Sequence, residues 1–168
     1  REDDLVVNGG AYFAEHPNAT NTEFMQWLSH VDVFDRYPEV SFIGYVVIVP
    51  AKDLPAFAKR AEADTTGVLA PNGRYEVVPS GNRPFYCLAA AGTARGSTLG
   101  IPAGVDLCVT VLRPVVLNSR DTGQRIYVPA AFGGLNMLGS GAPVYRGGVT
   151  PTTPEARRAN FLGALGIM

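Results

Sequence analysis

The alternation of apolar and polar positions divides this chain into helix-like and strand-like stretches. In LVVNGGAYFAEHP (5–17), Leu5, Val6, Tyr12 and Phe13 surround a Gly9-Gly10 pair, which reads as the closing turns of a helix stopped by Pro17. Phe24, Trp27, Leu28, Val31 and Phe34 then recur at helical intervals as far as Tyr37-Pro38, and Thr20 and Glu23 have capping-box spacing, so an amphipathic helix is predicted. Residues 40–49, almost wholly apolar, predict a buried strand. Leu54, Phe57 and Ala61 set a second helix within 50–67, with Pro55 in its first turn and Gly67 at its end.

The stretches 74–78 and 84–91 flank the turn-forming PSGN (79–82) and predict a hairpin. A glycine-rich loop follows at 92–104. Leu112-Arg113-Pro114 opens a helix that ends at Gly123. Residues 124–132, 135–138 and 141–147 read as strands joined by glycine-rich turns, and 153–166 as a closing helix with Thr153 as N-cap, Pro154 in the first turn and Glu155 near its positive end. Helices interleaved with hairpin strands predict an α+β fold with a mixed, partly antiparallel sheet.

Charge narrows the function classes. Over 168 residues, 14 basic and 15 acidic side chains leave a net charge of −1, without the clustered basic excess of a nucleic-acid or anionic-membrane surface. No apolar run is long enough to span a membrane; SFIGYVVIVP (41–50) suits a strand. The chain opens on Arg1 and closes at Met168 inside an apolar segment, which reads as two cuts in a longer protein.

Motifs for familiar chemistries are missing. His16 and His30 lack neighbouring ligands at metal spacing, and GSTLG (96–100) and GSGAP (139–143) lack the lysine or the following helix of a phosphate loop. Neither cysteine has an adjacent base, so no enzymatic activity, metal or cofactor is expected. Asn18-Ala19-Thr20 matches a glycosylation acceptor, although Thr20 has a competing role as helix cap. Cys87 and Cys108 lie in apolar surroundings and read either as buried thiols or, in an oxidising compartment, as a bridge worth about 3 kcal/mol.

The one conspicuous charge in an apolar setting is Asp106, between Val105 and Leu107. It reads either as a loop carboxylate capping backbone amides or as the acceptor in a ligand pocket walled by Phe85, Tyr86 and Leu88 on one strand and by Ile126, Tyr127 and Val128 on another.

The segments RYPEVSFIGYVVIVPAKDLPAFAKR, NRPFYCLA, GVDL, LRPVVLNSRDTG, GAPVYRGG and TPEARRANFLGALG, in that order, give the chain a resemblance to the CHASE sensory domains of membrane-bound histidine kinases, nucleotide cyclases and diguanylate cyclases. The resemblance covers about residues 5–166. It implies two PAS-like lobes on a helical stalk, with residues 1–16 as a truncated stalk, about 17–130 as a membrane-distal lobe and about 131–168 as a membrane-proximal part.

The implied function is extracytoplasmic sensing of a small molecule, relayed through the terminal helices, in a periplasmic or extracellular position. The transmembrane helices would lie outside this chain, and the intact receptor would form a homodimer through its stalk. Asp106 matches the aspartate that binds the adenine ring in plant cytokinin receptors, and Tyr127, Phe85, Leu107 and Tyr86 would surround it; pocket residues otherwise depart from the plant pattern. The rival reading is a dimerisation or periplasmic protein-interaction module without a ligand pocket.

Overall fold

The computed structural model describes residues 2–64, 66, 72–96, 103–132 and 134–168, with Phe132 described by its backbone alone. Three helices lead the chain: α1 (Glu2–Glu15), α2 (Asn21–Val31) and α3 (Val33–Arg36). They are followed by β1 (Phe42–Pro50), α4 (Leu54–Ala63), β2 (Phe85–Ala94), α5 (Arg113–Thr122), β3 (Ile126–Phe132), β4 (Leu135–Tyr145), α6 (Pro154–Asn160) and β5 (Phe161–Ile167). The strands form one sheet in the order β2-β1-β5-β4-β3, antiparallel at every pairing.

Local signals account for the helix ends. Thr20 Oγ1 accepts the Glu23 N–H at 3.2 Å while Glu23 Oε2 accepts the Thr20 N–H at 2.8 Å, completing the capping box. Asp32, with φ of 55°, ends α2 and separates it from α3, so the helix foreseen through Phe34 is two helices. Gly123, at φ 73°, closes α5 in the left-handed conformation that glycine adopts without steric cost.

The sheet buries both faces. Ile43 and Tyr45 of β1 pack with Leu5 and Phe13 of α1 and Phe24 and Leu28 of α2, and Val49 packs with Phe57 of α4. On the opposite face, Val46 meets Val116 and Leu117 of α5 and the Cys87–Cys108 pair. Burial from two sides is why β1 lacks a polar alternation. The glycine pair in α1 has a packing cause: a Cβ on Gly9 would lie 2.5 Å from Leu165 Cδ2, so glycine lets the helix settle directly on β5.

Further expectations are corrected. The helix foreseen over 153–166 ends at Asn160, and FLGALGI becomes β5 between β1 and β4. Residues 74–78 do not form a hairpin with β2; β2 pairs with β1, while Val78 makes only an isolated parallel bridge to Val105. The strands foreseen at 135–138 and 141–147 are one strand, β4. The sheet is antiparallel at every pairing rather than mixed. α4 ends at Ala63, short of the foreseen end at Gly67; the 97–102 part of the glycine-rich loop lies outside the described residues.

Candidate functional site

Asp106 is wholly buried and precedes a 3-10 turn at Leu107–Val109. Its Oδ1 accepts the N–H groups of Cys87 (2.9 Å) and Cys108 (3.0 Å), and its Oδ2 accepts Arg83 Nε at 2.8 Å. Arg83 Nη2 also donates to the Pro79 carbonyl at 2.6 Å, and Cys87 and Cys108 form a disulfide with Cα atoms 5.2 Å apart. Carboxylate, guanidinium and disulfide thus fasten the 103–109 segment to β2 at the edge of the sheet. Of the two readings of Asp106, this is the backbone cap, with a buried counter-ion added.

Of the other foreseen pocket residues, Phe85 and Leu107 gather beside the disulfide that Asp106 holds, whereas Tyr127 lies far from it. Tyr86 is buried, its hydroxyl donating to the Gly81 carbonyl at 3.0 Å, and Phe85 and Leu107 pack against the disulfide cluster. Tyr127 lies on β3, at the opposite edge of the sheet from β2, and is 52% exposed beneath the Arg125 guanidinium. Four strand spacings separate those edges, about 19 Å, too far for one small ligand to touch both walls. Arg113 Nη1 donates to the Cys108 carbonyl at 3.0 Å, and Arg120 Nε pairs with Asp121 at 2.7 Å, so both are engaged locally.

Among the described residues, the metal-ligating types gather only at Cys87, Asp106 and Cys108. There the sulfurs are bonded to each other and the carboxylate already accepts three donors, which leaves no ligand atoms suited to a cation.

A cavity of about 630 Å³ opens elsewhere, between the start of α2, the inner side of α4 and the sheet. Its floor is Ala89, Ala90, Ala91 and Gly92 of β2, with Val47 of β1 and Phe161 and Leu162 of β5 beside them. Two irregularities make the space. The β1–β2 register skips Ala90, and the β1–β5 ladder ends at Val46–Ala164, so Val47 and the first residues of β5 are not paired with each other. The run of small residues keeps the floor low.

Polar groups ring this cavity in two distinct states. Asn21, at the start of α2, donates from Nδ2 to the Thr66 carbonyl (2.9 Å) and accepts the Gly92 N–H (2.8 Å), holding the helix to the sheet edge. Asp64 accepts from the Thr22 and Thr66 N–H groups and from both threonine hydroxyls. Burial alone would raise its pKa, but these hydrogen bonds outweigh that effect and hold it below the usual carboxylate value. Both residues are fully used in building the wall.

The second group is uncommitted. Arg60 has its guanidinium 6.0 Å from the Phe57 ring centre and no carboxylate partner among the described residues, and Arg146 likewise makes no ion pair there. Tyr75 also lines the space. Its hydroxyl is buried without a hydrogen-bond partner among the described residues, and burial, with a smaller contribution from the Asp106 charge, raises its pKa. It therefore remains a phenol able to donate.

The roles of Arg60, Tyr75 and Arg146 left no local trace in the sequence, because residues scattered over 86 positions become neighbours of one cavity only through the sheet. Arg83 sits 23 residues from Asp106, again without a spacing motif. The available signal was thermodynamic: a carboxylate in an apolar segment requires a partner. No protein-family model matches the chain, and no curated protein matches it.

Proposed function

We propose that this chain is an extracytoplasmic sensing domain of a transmembrane receptor, non-enzymatic by itself, which holds a small molecule in a PAS-like lobe. The observation that carries this reading is the cavity over Ala89–Gly92, whose size and largely apolar lining, with a few convergent polar groups, are those of small-molecule sites. The five-stranded antiparallel sheet with helices on it is compatible with one PAS-like lobe, and the resemblance of the sequence to CHASE domains points the same way. The Cys87–Cys108 disulfide favours an oxidising compartment.

Ligand occupancy would signal by stabilising one arrangement of the terminal segments. The cavity is framed by β5 at the chain's end and by the α1–α2 connection through Pro17, Asn18 and Ala19. A ligand that binds one arrangement of these elements more tightly than another shifts the population between them.

The test is thermal unfolding of the protein against a library of purines, amino acids and small acids, with Ala90→Phe as comparison. Ala90, half-buried in the cavity floor, lies on the face of the sheet shared by Val47 and Phe57, so the larger side chain occupies ligand space. A ligand at 100 times its Kd adds about 2.7 kcal/mol of stability, and that gain should vanish in Ala90→Phe. No stabilisation by any compound, with concentration-dependent self-association in sedimentation, would instead support the interaction-module reading.

A further inference from the structure

We propose that the cavity over Ala89–Gly92 selects a small organic anion, a carboxylate on a compact apolar body, with Arg60 and Arg146 taking the charge. This deepens the ligand-sensing reading and rests on it. The argument is a charge count of the lining: two guanidinium groups and one carboxylate among the described residues. That carboxylate, Asp64, already accepts four donors from Thr22 and Thr66 and is committed to the wall. An ammonium ligand would therefore meet no open carboxylate and two like charges.

The uncommitted charged groups are donors: arginine carries N–H donors and no acceptor, while the Asn18 amide beside them can donate or accept. Guanidinium groups match the two oxygens of a carboxylate, and their hydrogen bonds to an anion are stronger than neutral ones. The apolar part of the lining, including Ala90, Val47, Phe57, Phe161 and Leu162, would receive an alkyl or aryl body. Anion at the rim and hydrocarbon on the floor is the division the lining dictates.

Isothermal titration of the intact protein with three matched sets tests this: phenylacetate and hexanoate, their neutral primary amides, and the corresponding amines. Binding of the carboxylates with at least about tenfold preference over amides and amines is expected, since a charge-assisted hydrogen bond contributes more than a neutral one. The Arg60→Gln/Arg146→Gln double variant should lose about tenfold or more in carboxylate affinity and little in amide affinity.

Binding of amides or amines in preference to carboxylates, blocked by Ala90→Phe, would overturn the anion assignment and leave the ligand-sensing reading standing. Absence of binding in all three sets and in the wider library would overturn both. Carboxylate binding unchanged in the double variant would place the anion elsewhere and refute the assignment to Arg60 and Arg146.

Discussion

The Asp106 carboxylate, shut off from solvent, lies 2.8 Å from Arg83 Nε while its other oxygen receives the amides of both disulfide cysteines. An ionised group can sit at that depth only because its acceptor capacity is used from several directions. The pair links the turn before β2 to the segment after residue 103, and it makes this edge of the sheet a fixed frame beside the cavity.

Asp106→Ala is therefore a stability variant. It strands the Arg83 guanidinium and two amide N–H groups, and breaking a buried pair from one side costs about 3–5 kcal/mol. Urea denaturation measures the loss. Ligand affinity of the folded fraction should be unchanged, since Asp106 is not part of the cavity lining.

Replacing both Cys87 and Cys108 by serine frees a segment spanning 21 positions and should lower stability by about 3 kcal/mol in the chain-entropy model. The same destabilisation should follow reduction of the native protein. Denaturation with and without reductant gives the comparison, and the serine variant should no longer respond to reductant.

Tyr45 offers a change in the other direction. It is 1% exposed, stacks on Phe13 with ring centres 3.8 Å apart, and has a hydroxyl without a hydrogen-bond partner among the described residues. Burial pushes its pKa up, so the hydroxyl stays protonated and unsatisfied. Tyr45→Phe keeps the stacking, removes the orphan group, and should raise stability by up to about 1–3 kcal/mol in chemical denaturation.

Gly163 faces the same ring. A Cβ there would lie 2.6 Å from Tyr45 Cε2, and Phe13 blocks retreat on the far side, so Gly163→Ala should cost about 1–3 kcal/mol. In a double-mutant cycle with Tyr45→Ala most of that penalty should disappear, which separates overpacking from a backbone effect.

Acid sensitivity has an identifiable source on the α5–α6 contact. Hydrogen bonds from Arg120 and Arg158, aided by their charges, lower the Asp121 pKa to about 2. A folded pKa below the unfolded value contributes stability that is present above about pH 4 and is lost as pH falls toward 2. The site is partly solvated, so the effect is screened by salt. Asp121→Asn should flatten that part of the stability–pH curve, read by denaturation between pH 2 and 5.

Local interactions made much of the helical structure legible in the sequence. The Thr20–Glu23 box, the prolines in the first turns of α4 and α5, and Gly123 after α5 each act within a few residues, so their spacing alone reports them. The buried strand β1 was visible for a related reason: burial on both faces imposes an unbroken apolar run.

The closing segment shows where that legibility stops. Thr153, Pro154 and Glu155 start a helix, but nothing local in FLGALGI distinguishes continued helix from strand; only the open ladders of β1 and β4 on either side make it the sheet's central strand. Asp106 was recognisable as a charge in need of partners, whereas Arg83 as its counter-ion came from 23 residues away. Arg60, Tyr75 and Arg146 share a cavity because the register skips Ala90 and the β1–β5 ladder ends at Val46–Ala164. Sequence by itself determined the elements whose signals are short-ranged and the α+β character they add up to; the central strand, the carboxylate's partners and the cavity were decided by tertiary structure, because each depends on pairings between residues far apart in the chain.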